Sequence, residues 1–336
     1  MAVYTQVPAE EIDAFLSRYD AGRLVSAKGI AEGVENSNYL LETTGADGKG
    51  HRYILTLYEK RVDEADLPFF MDLLDHLGAR GCLVPRFSAD REGQRLQQLA
   101  GRPACLIEFL TGISLTEPTV EQARAAGAAL GQLHRAAQGF TGERRNALDL
   151  PGWHDLAAKC GEDFDRIAPG LAARVEQELG HLDAHWPGDL PRSVIHADLF
   201  PDNVLMLGDE VTGLIDFYFS CTDIRAYDLA VTHSAWVFSN DGATWHGDRA
   251  AALGAGYEAT HGLSEAERAA FPILCRGAAL RFLLTRAYDW INTPADAMVT
   301  RKDPLAYLRR YDFYRTFDSD LCLFDAEVAQ HGPFIR

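Results

Sequence analysis

The stretch that most constrains this chain runs from position 194 to 216. A short apolar run, 204–207, is followed by Gly208-Asp209-Glu210 and then by a second, alternating apolar run, 211–215. Two β-prone runs joined by a tight Gly/Asp turn predict a hairpin. Asn203 stands just before the first run and Asp216 just after the second. The two ends of an antiparallel pair are neighbours, so the hairpin brings these side chains together at its open end. Asp198 lies in the segment leading into it. Three oxygen-bearing side chains are thereby expected to face one place beside a rigid strand pair.

Carboxylate and amide oxygens suit Mg²⁺, a hard cation that keeps waters and binds substrate phosphates rather than a full protein cage. Asp198 is then left to orient or deprotonate a hydroxyl. This is the division of labour of kinase-type phosphoryl transfer. His196-Ala197-Asp198 with Asn203 resembles the catalytic loop, and Ile215-Asp216-Phe217 the metal-binding aspartate, of the aminoglycoside-phosphotransferase-like kinases. The resemblance implies Asp198 as catalytic base, Asn203 and Asp216 as Mg²⁺ ligands, and ATP as phosphoryl donor. It also implies an α+β, two-lobed, protein-kinase-like fold with a small β-rich N-terminal lobe and a larger, mainly helical C-terminal lobe.

Composition agrees with a small-molecule enzyme. A formal charge of −17, from 32 basic and 49 acidic side chains, argues against a nucleic-acid partner. The hydrophobic share of 47% supplies a real core. Six scattered cysteines without a C-x-x-C pair read as free thiols in a reducing cytoplasm. No signal peptide is expected from the opening residues, and no apolar stretch is long enough to span a bilayer.

Along the chain, Ile12, Phe15, Leu16 and Tyr19 predict a short amphipathic helix. Strands are expected at 24–27, 39–42, 52–58, 83–87, 95–99 and 104–110. Between the first two lies a small and polar stretch containing Gly33, Asn36 and Ser37. It is either an ordinary turn or a loop laying backbone N–H groups over phosphates. In the strand at 52–58, a kinase would carry a lysine or arginine for the phosphates; Thr56 stands there instead. Lys60 and Arg61 lie past its end, as phosphate anchors or as solvated charges. A helix is expected around 70–77, with Asp72 and Asp75 lacking an identifiable partner. By the same resemblance, backbone groups from Glu108 to Leu110 contact adenine. The shift from sheet to helix near 112 divides the chain into a nucleotide-binding lobe (1–104), a hinge (105–112) and a catalytic and substrate lobe (113–336), with the nucleotide in the cleft.

Beyond the hinge, Thr119 and Gln122 form a possible capping box. His134 reads as a packed, hydrogen-bonded histidine, 144–153 as a loop, and 175–182 as a helix. Asp228 reads as structural, at a helix N-terminus, and 262–271 as a linker or short helix. In the helix after it, Arg276 falls inside the apolar face, with Arg281 and Arg286 on its flanks. A buried guanidinium needs a partner, either a protein carboxylate or a substrate carboxylate.

Three stretches, 33–39, 53–59 and 279–286, together with 146–153, resemble the homoserine kinases of this kinase type, over nearly the whole chain. The resemblance implies ATP-dependent phosphorylation of L-homoserine in threonine biosynthesis, with Arg281 or Arg276 holding the acceptor's carboxylate. Two other readings stay open. One is a kinase of another small alcohol, such as choline, an aminoglycoside or a sugar. The other is a non-catalytic nucleotide-binding module, supported by the missing strand lysine alone.

Overall fold

The computed structural model describes residues 5–30, 36–59, 63–293 and 301–316. It divides into two compact units, Met1–Thr111 and Gly112–Arg336. Lys60, Arg61 and Gly33 lie outside the described residues.

The first unit orders helix α1 (Ala9–Leu16), strands β1 (Arg23–Ile30), β2 (Asn36–Thr44) and β3 (Gly50–Tyr58), helix α2 (Leu67–Ala79), and strands β4 (Gln97–Leu99) and β5 (Arg102–Glu108). The strands form one antiparallel sheet in the order β1-β2-β3-β5-β4. Strand periodicity decides which residues meet α1. Leu55 and Leu57 of β3 join Leu41, Leu106 and the α1 residues Ile12, Phe15 and Leu16 in one apolar core. Each fully buried leucine of this kind contributes about 1.5–3 kcal/mol. Thr56 points to the other face, where its hydroxyl donates to Asn38 Oδ1, directly across the β2–β3 pair, at 2.7 Å.

The expected strand at 83–87 is absent. Pro85 has no N–H to give a ladder, and only an isolated bridge joins Phe87 to Ile107. The next strand is shorter than expected and enters β5 through a two-residue turn, Ala100-Gly101, with positive φ at both positions. Asn36 and Ser37, expected in a loop, are β2 residues opposite Tyr58 and Leu57. The expected hinge also moves. Cys105 to Glu108 are β5 residues paired with β3, so the sheet runs on to Glu108 and the boundary falls after Thr111.

The second unit orders β6 (Ile113–Ser114), α3 (Val120–Ala136), α4 (Leu150–Cys160), α5 (Leu171–His185), β7 (Arg192–Ile195), β8 (Val204–Leu207), β9 (Glu210–Leu214), β10 (Cys221–Ile224), α6 (Arg225–Trp236), α7 (Gly247–Thr260), α8 (Glu265–Asn292) and α9 (Leu305–Arg315). The capping box at Thr119 and Gln122 starts α3. Helices α3 and α7 pack closely because Gly127 and Gly256 have no Cβ; one added at either would strike a backbone carbonyl of the other helix. The expected loop at 144–153 ends early, because Asp149 caps α4 and Pro151 fits its first turn. The expected linker at 262–271 is instead the start of α8. Ser264 and Glu267 form its capping box, and the helix carries Pro272 and runs 28 residues. Among the described residues, no helix is long and apolar enough to cross a membrane.

Candidate active site

The predicted hairpin forms: β8 and β9 pair antiparallel, with Val204 opposite Leu214. The Ile215 N–H donates to the Asn203 carbonyl at 3.0 Å, which closes the open end. The segment 196–203 enters this hairpin from β7, itself fixed by pairing with β10. Asn203 Nδ2 donates to the Asp198 carbonyl at 2.8 Å and approaches Asp198 Oδ2 at 3.4 Å. The fold thus joins Asp198 to Asn203 directly. Asp216 follows immediately after the hairpin, in the left-handed conformation at φ 65° that aspartate tolerates.

The entering loop is clamped from below. Ala197 lies at φ 64°, a region that costs an L-residue about 1–2 kcal/mol. Asp228 offsets this cost. Its Oδ2 accepts the His196 N–H and its Oδ1 the Ala197 N–H, both at 2.7 Å. Arg281, a residue of α8, donates through Nη1 to the Ala197 carbonyl. Asp228 also takes a bond from His134 Nε2 at 3.0 Å, and His134 Nδ1 accepts the Tyr257 hydroxyl at 2.8 Å. Burial alone would raise the pKa of Asp228, but His134 and the loop N–H groups outweigh it and hold the carboxyl below its ordinary value. Asp228 is therefore structural, as its sequence suggested, but it does not cap α6; it fixes the loop. His134 is the packed, hydrogen-bonded histidine that its sequence suggested.

His196 ties the loop to the hairpin's far strand. Its Nε2 donates to the Ile215 carbonyl at 3.0 Å, and its Nδ1 accepts the Asp198 N–H at 3.3 Å. These bonds assign the neutral Nε2–H tautomer. Burial keeps its pKa below the ordinary value. The role of His196 was not legible in the motif; only its burial beside two main-chain partners reveals it.

Asp198 is half-buried and its pKa is pushed up to about 8. Burial is the main cause; Asp216 and Asp202 add to it, while Arg281 and Lys302 oppose it. The donor set fits Mg²⁺. Asn203 commits its Nδ2 to Asp198, so its amide oxygen is the atom left to meet a cation. Among the described residues no three His, Cys, Asp or Glu side chains converge as a metal cage. An ion held by one carboxylate, one amide and substrate phosphates needs none.

In the first unit, Asn36 and Ser37, expected at the nucleotide, both engage Glu59. Ser37 Oγ donates to Glu59 Oε1 at 2.8 Å, and Asn36 Oδ1 accepts the Glu59 N–H at 3.3 Å. Glu59 also pairs with Arg102 at 3.2 Å. The Glu108 N–H donates to the Arg86 carbonyl at 2.9 Å, and Leu110 lies just past the end of β5. The partner missing for Asp72 and Asp75 is Arg95, which pairs with them at 2.7 and 2.5 Å.

Both arginines expected at a substrate carboxylate are otherwise engaged. Arg276 is bidentate to Glu178, at 2.7 and 2.6 Å, and Tyr311 donates to the same carboxylate at 3.1 Å. Arg281 is 2% exposed. Besides the Ala197 carbonyl, its guanidinium lies over Phe282 at 4.5 Å and Phe219 at 5.5 Å. Burial beneath the loop leaves Arg281 no surface for an acceptor, so both expectations are corrected. Helical periodicity shows that these guanidinium groups need partners but not which ones, since that depends on α5 and the loop meeting α8.

Residues 26–263 match the family model described as the phosphotransferase enzyme family. The chain is 56% identical over 317 residues to a homoserine kinase of Zymomonas mobilis subsp. mobilis, covering 94% of this chain and 97% of that one. It is 50% identical over 332 residues to a homoserine kinase of Agrobacterium fabrum, covering 99% of each. Among solved structures, amicoumacin kinase hAmiN, in complex with AMP-PNP and Ca²⁺, aligns with TM-score 0.68 at 15% identity over 96% of this chain and 97% of its own. Spectinomycin phosphotransferase aligns with TM-score 0.63 at 14% identity over 97% of this chain and 99% of its own — a likeness of fold, and of the two-lobed α+β kind. With its hairpin, its clamped loop and relatives this similar along nearly its full length, the chain belongs to the phosphotransferase enzyme family, in its homoserine kinase group.

Proposed function

We infer that this chain transfers the γ-phosphoryl group of ATP to the side-chain hydroxyl of L-homoserine, giving ADP and O-phospho-L-homoserine for threonine biosynthesis. The observation that carries the reading is the 56% identity to a homoserine kinase over 94% of the chain. Asp198 accepts the hydroxyl proton as the bond to phosphorus forms. Burial strengthens its hold on a proton once taken, while Arg281 and Lys302 favour the ionised form that accepts one. Asn203 fixes the Asp198 carboxylate through Nδ2 and offers its oxygen, with Asp216, to Mg²⁺. When bound, Mg²⁺ neutralises phosphate charge and orients the transferring group. Gly33, Asn36, Ser37, Glu108 and Leu110 belong to the nucleotide side of this reading, Asn36 and Ser37 through the Glu59 cluster that shapes the end of β2. The described cysteines are all unpaired thiols, which suits a cytoplasmic enzyme.

The test is ADP release with Mg²⁺-ATP against L-homoserine, D-homoserine, L-serine, choline, an aminoglycoside and a sugar alcohol. L-homoserine should give the highest kcat/KM, and Asp198→Asn should lower kcat by about 10²–10⁴-fold with ATP still bound. Preferred turnover of another acceptor would discard the substrate. An Asp198→Asn enzyme with normal kcat would discard the base.

A further inference from the structure

With Arg276 and Arg281 engaged elsewhere, the acceptor's carboxylate needs another cation. Helix α8 carries a third arginine. Arg286 is half-buried, one turn beyond Phe282. Its guanidinium lies over the Tyr307 ring at 4.5 Å, and Nη1 donates to the Asp303 carbonyl at 3.2 Å. Among the described residues no carboxylate pairs with it. On the same ring, at 4.4 Å, lies the guanidinium of Arg310. Burial, and then this like charge, weaken the hold of Arg286 on its proton, while Tyr307 and the more distant Asp303 and Asp198 act the other way without pairing with it.

An aromatic cluster ties Arg286 to the catalytic loop. Phe282 packs on Phe200 at 4.9 Å and on Tyr307 at 5.0 Å. Phe200 lies two residues after Asp198, and Lys302 Nζ lies over its ring at 5.6 Å. Asp198 and Arg286 are close enough for each to feel the other's charge. In a chain of formal charge −17, cations Arg281, Arg286, Arg310 and Lys302 thus gather around one loop and its aromatic neighbours.

We propose that Arg286 anchors the carboxylate of the acceptor amino acid whose hydroxyl meets Asp198, with Lys302 adding positive charge at the same place. The proposal rests on the acceptor assigned under Proposed function. A short carbon chain separates hydroxyl from carboxylate in such an acceptor, so the anchoring cation belongs near Asp198 and not on it. The planar guanidinium, stacked on Tyr307, keeps N–H donors beyond the one given to Asp303, in the fork that suits a carboxylate. Such a contact is made in ground state and transition state alike, so its loss appears mainly in KM.

The experiment compares L-homoserine with 3-aminopropan-1-ol, which keeps the hydroxyl and amine but lacks the carboxylate. The native enzyme should prefer L-homoserine by about 100-fold in kcat/KM, the weight of one buried charge-assisted contact. In Arg286→Met the preference should fall to within a few-fold, because KM for L-homoserine rises while KM for ATP and turnover of the amino alcohol hold. Arg286→Lys should restore part of the preference. The ratio does not depend on the fraction of folded enzyme, and Arg286→Gln gives the same reading if the methionine variant folds poorly. An unchanged ratio, or equal losses on both acceptors with a raised KM for ATP, overturns the assignment alone. Native enzyme inert toward L-homoserine overturns the acceptor assignment and this one with it.

Discussion

Asp228 and Glu178 are both carboxylates buried in the helical unit, and they are held in different ways. Asp228 accepts two main-chain N–H groups of the loop before Asp198, and a histidine supports it from behind. Glu178 accepts side chains only, the Arg276 fork and the Tyr311 hydroxyl, which join α5 to α8 and α9. Bonds to consecutive amides fix the backbone angles of the loop itself. Bonds to an arginine and a tyrosine fix how helices pack, and tolerate small shifts of the chain. A buried carboxylate therefore reaches the chemistry when its partners are the main chain of the catalytic loop.

Substitution tests this contrast. Asp228→Asn should have the largest effect, since one amide oxygen must replace two carboxylate oxygens facing N–H donors. We expect a loss of about 3–5 kcal/mol in unfolding free energy, and a kcat per folded molecule lower by about 10²-fold through displacement of Asp198. Denaturant midpoints and active-site titration measure the two. A normal kcat in the folded variant would break the contrast. Glu178→Gln leaves Arg276 partly buried without its counter-charge. It should cost on the order of 2 kcal/mol and leave kcat within about 2-fold. A large fall in kcat would show that helix packing reaches the loop after all.

The smallest effect is a pH slope. Burial lowers the pKa of His196 below its ordinary value of 6.5. The unfolded chain then takes up the proton first as pH falls below 6.5, so stability is lost on the acid side of that value. Asp198 acts with the opposite sign, because burial raises its pKa in the folded state. The His196 share is therefore the difference in slope between the native chain and His196→Gln, which keeps a donor for Ile215. Equal slopes would mean that His196 is not held neutral.

The hairpin was legible because turn chemistry and strand alternation are local signals, and they place Asn203 and Asp216 at its two ends without any distant contact. The capping box at Thr119 and the packed state of His134 were legible for the same reason. The strand at 83–87 failed because apolar content outweighed Pro85, whose missing N–H decides the matter. The start of α8 was missed because Glu-rich polar residues hid a capping box at Ser264. The partners of Arg276 and Arg281 were illegible because they come from 98 and 84 residues away along the chain. Periodicity can bury a guanidinium; only the fold says against what.

The length of α8 has a consequence of its own. Positions 276, 281 and 286 are five residues apart, so their side chains leave the rod on bearings about 140° apart. One faces Glu178, one the Ala197 carbonyl and one Tyr307. A substitution changes one of these meetings. A single inserted or deleted residue between 276 and 286 turns everything beyond it by about 100° and slides it by about 1.5 Å, so several meetings fail together. This segment is therefore less sensitive to the loss of one arginine than to a change in length, in the way a toothed shaft tolerates wear on a tooth and not a change in pitch.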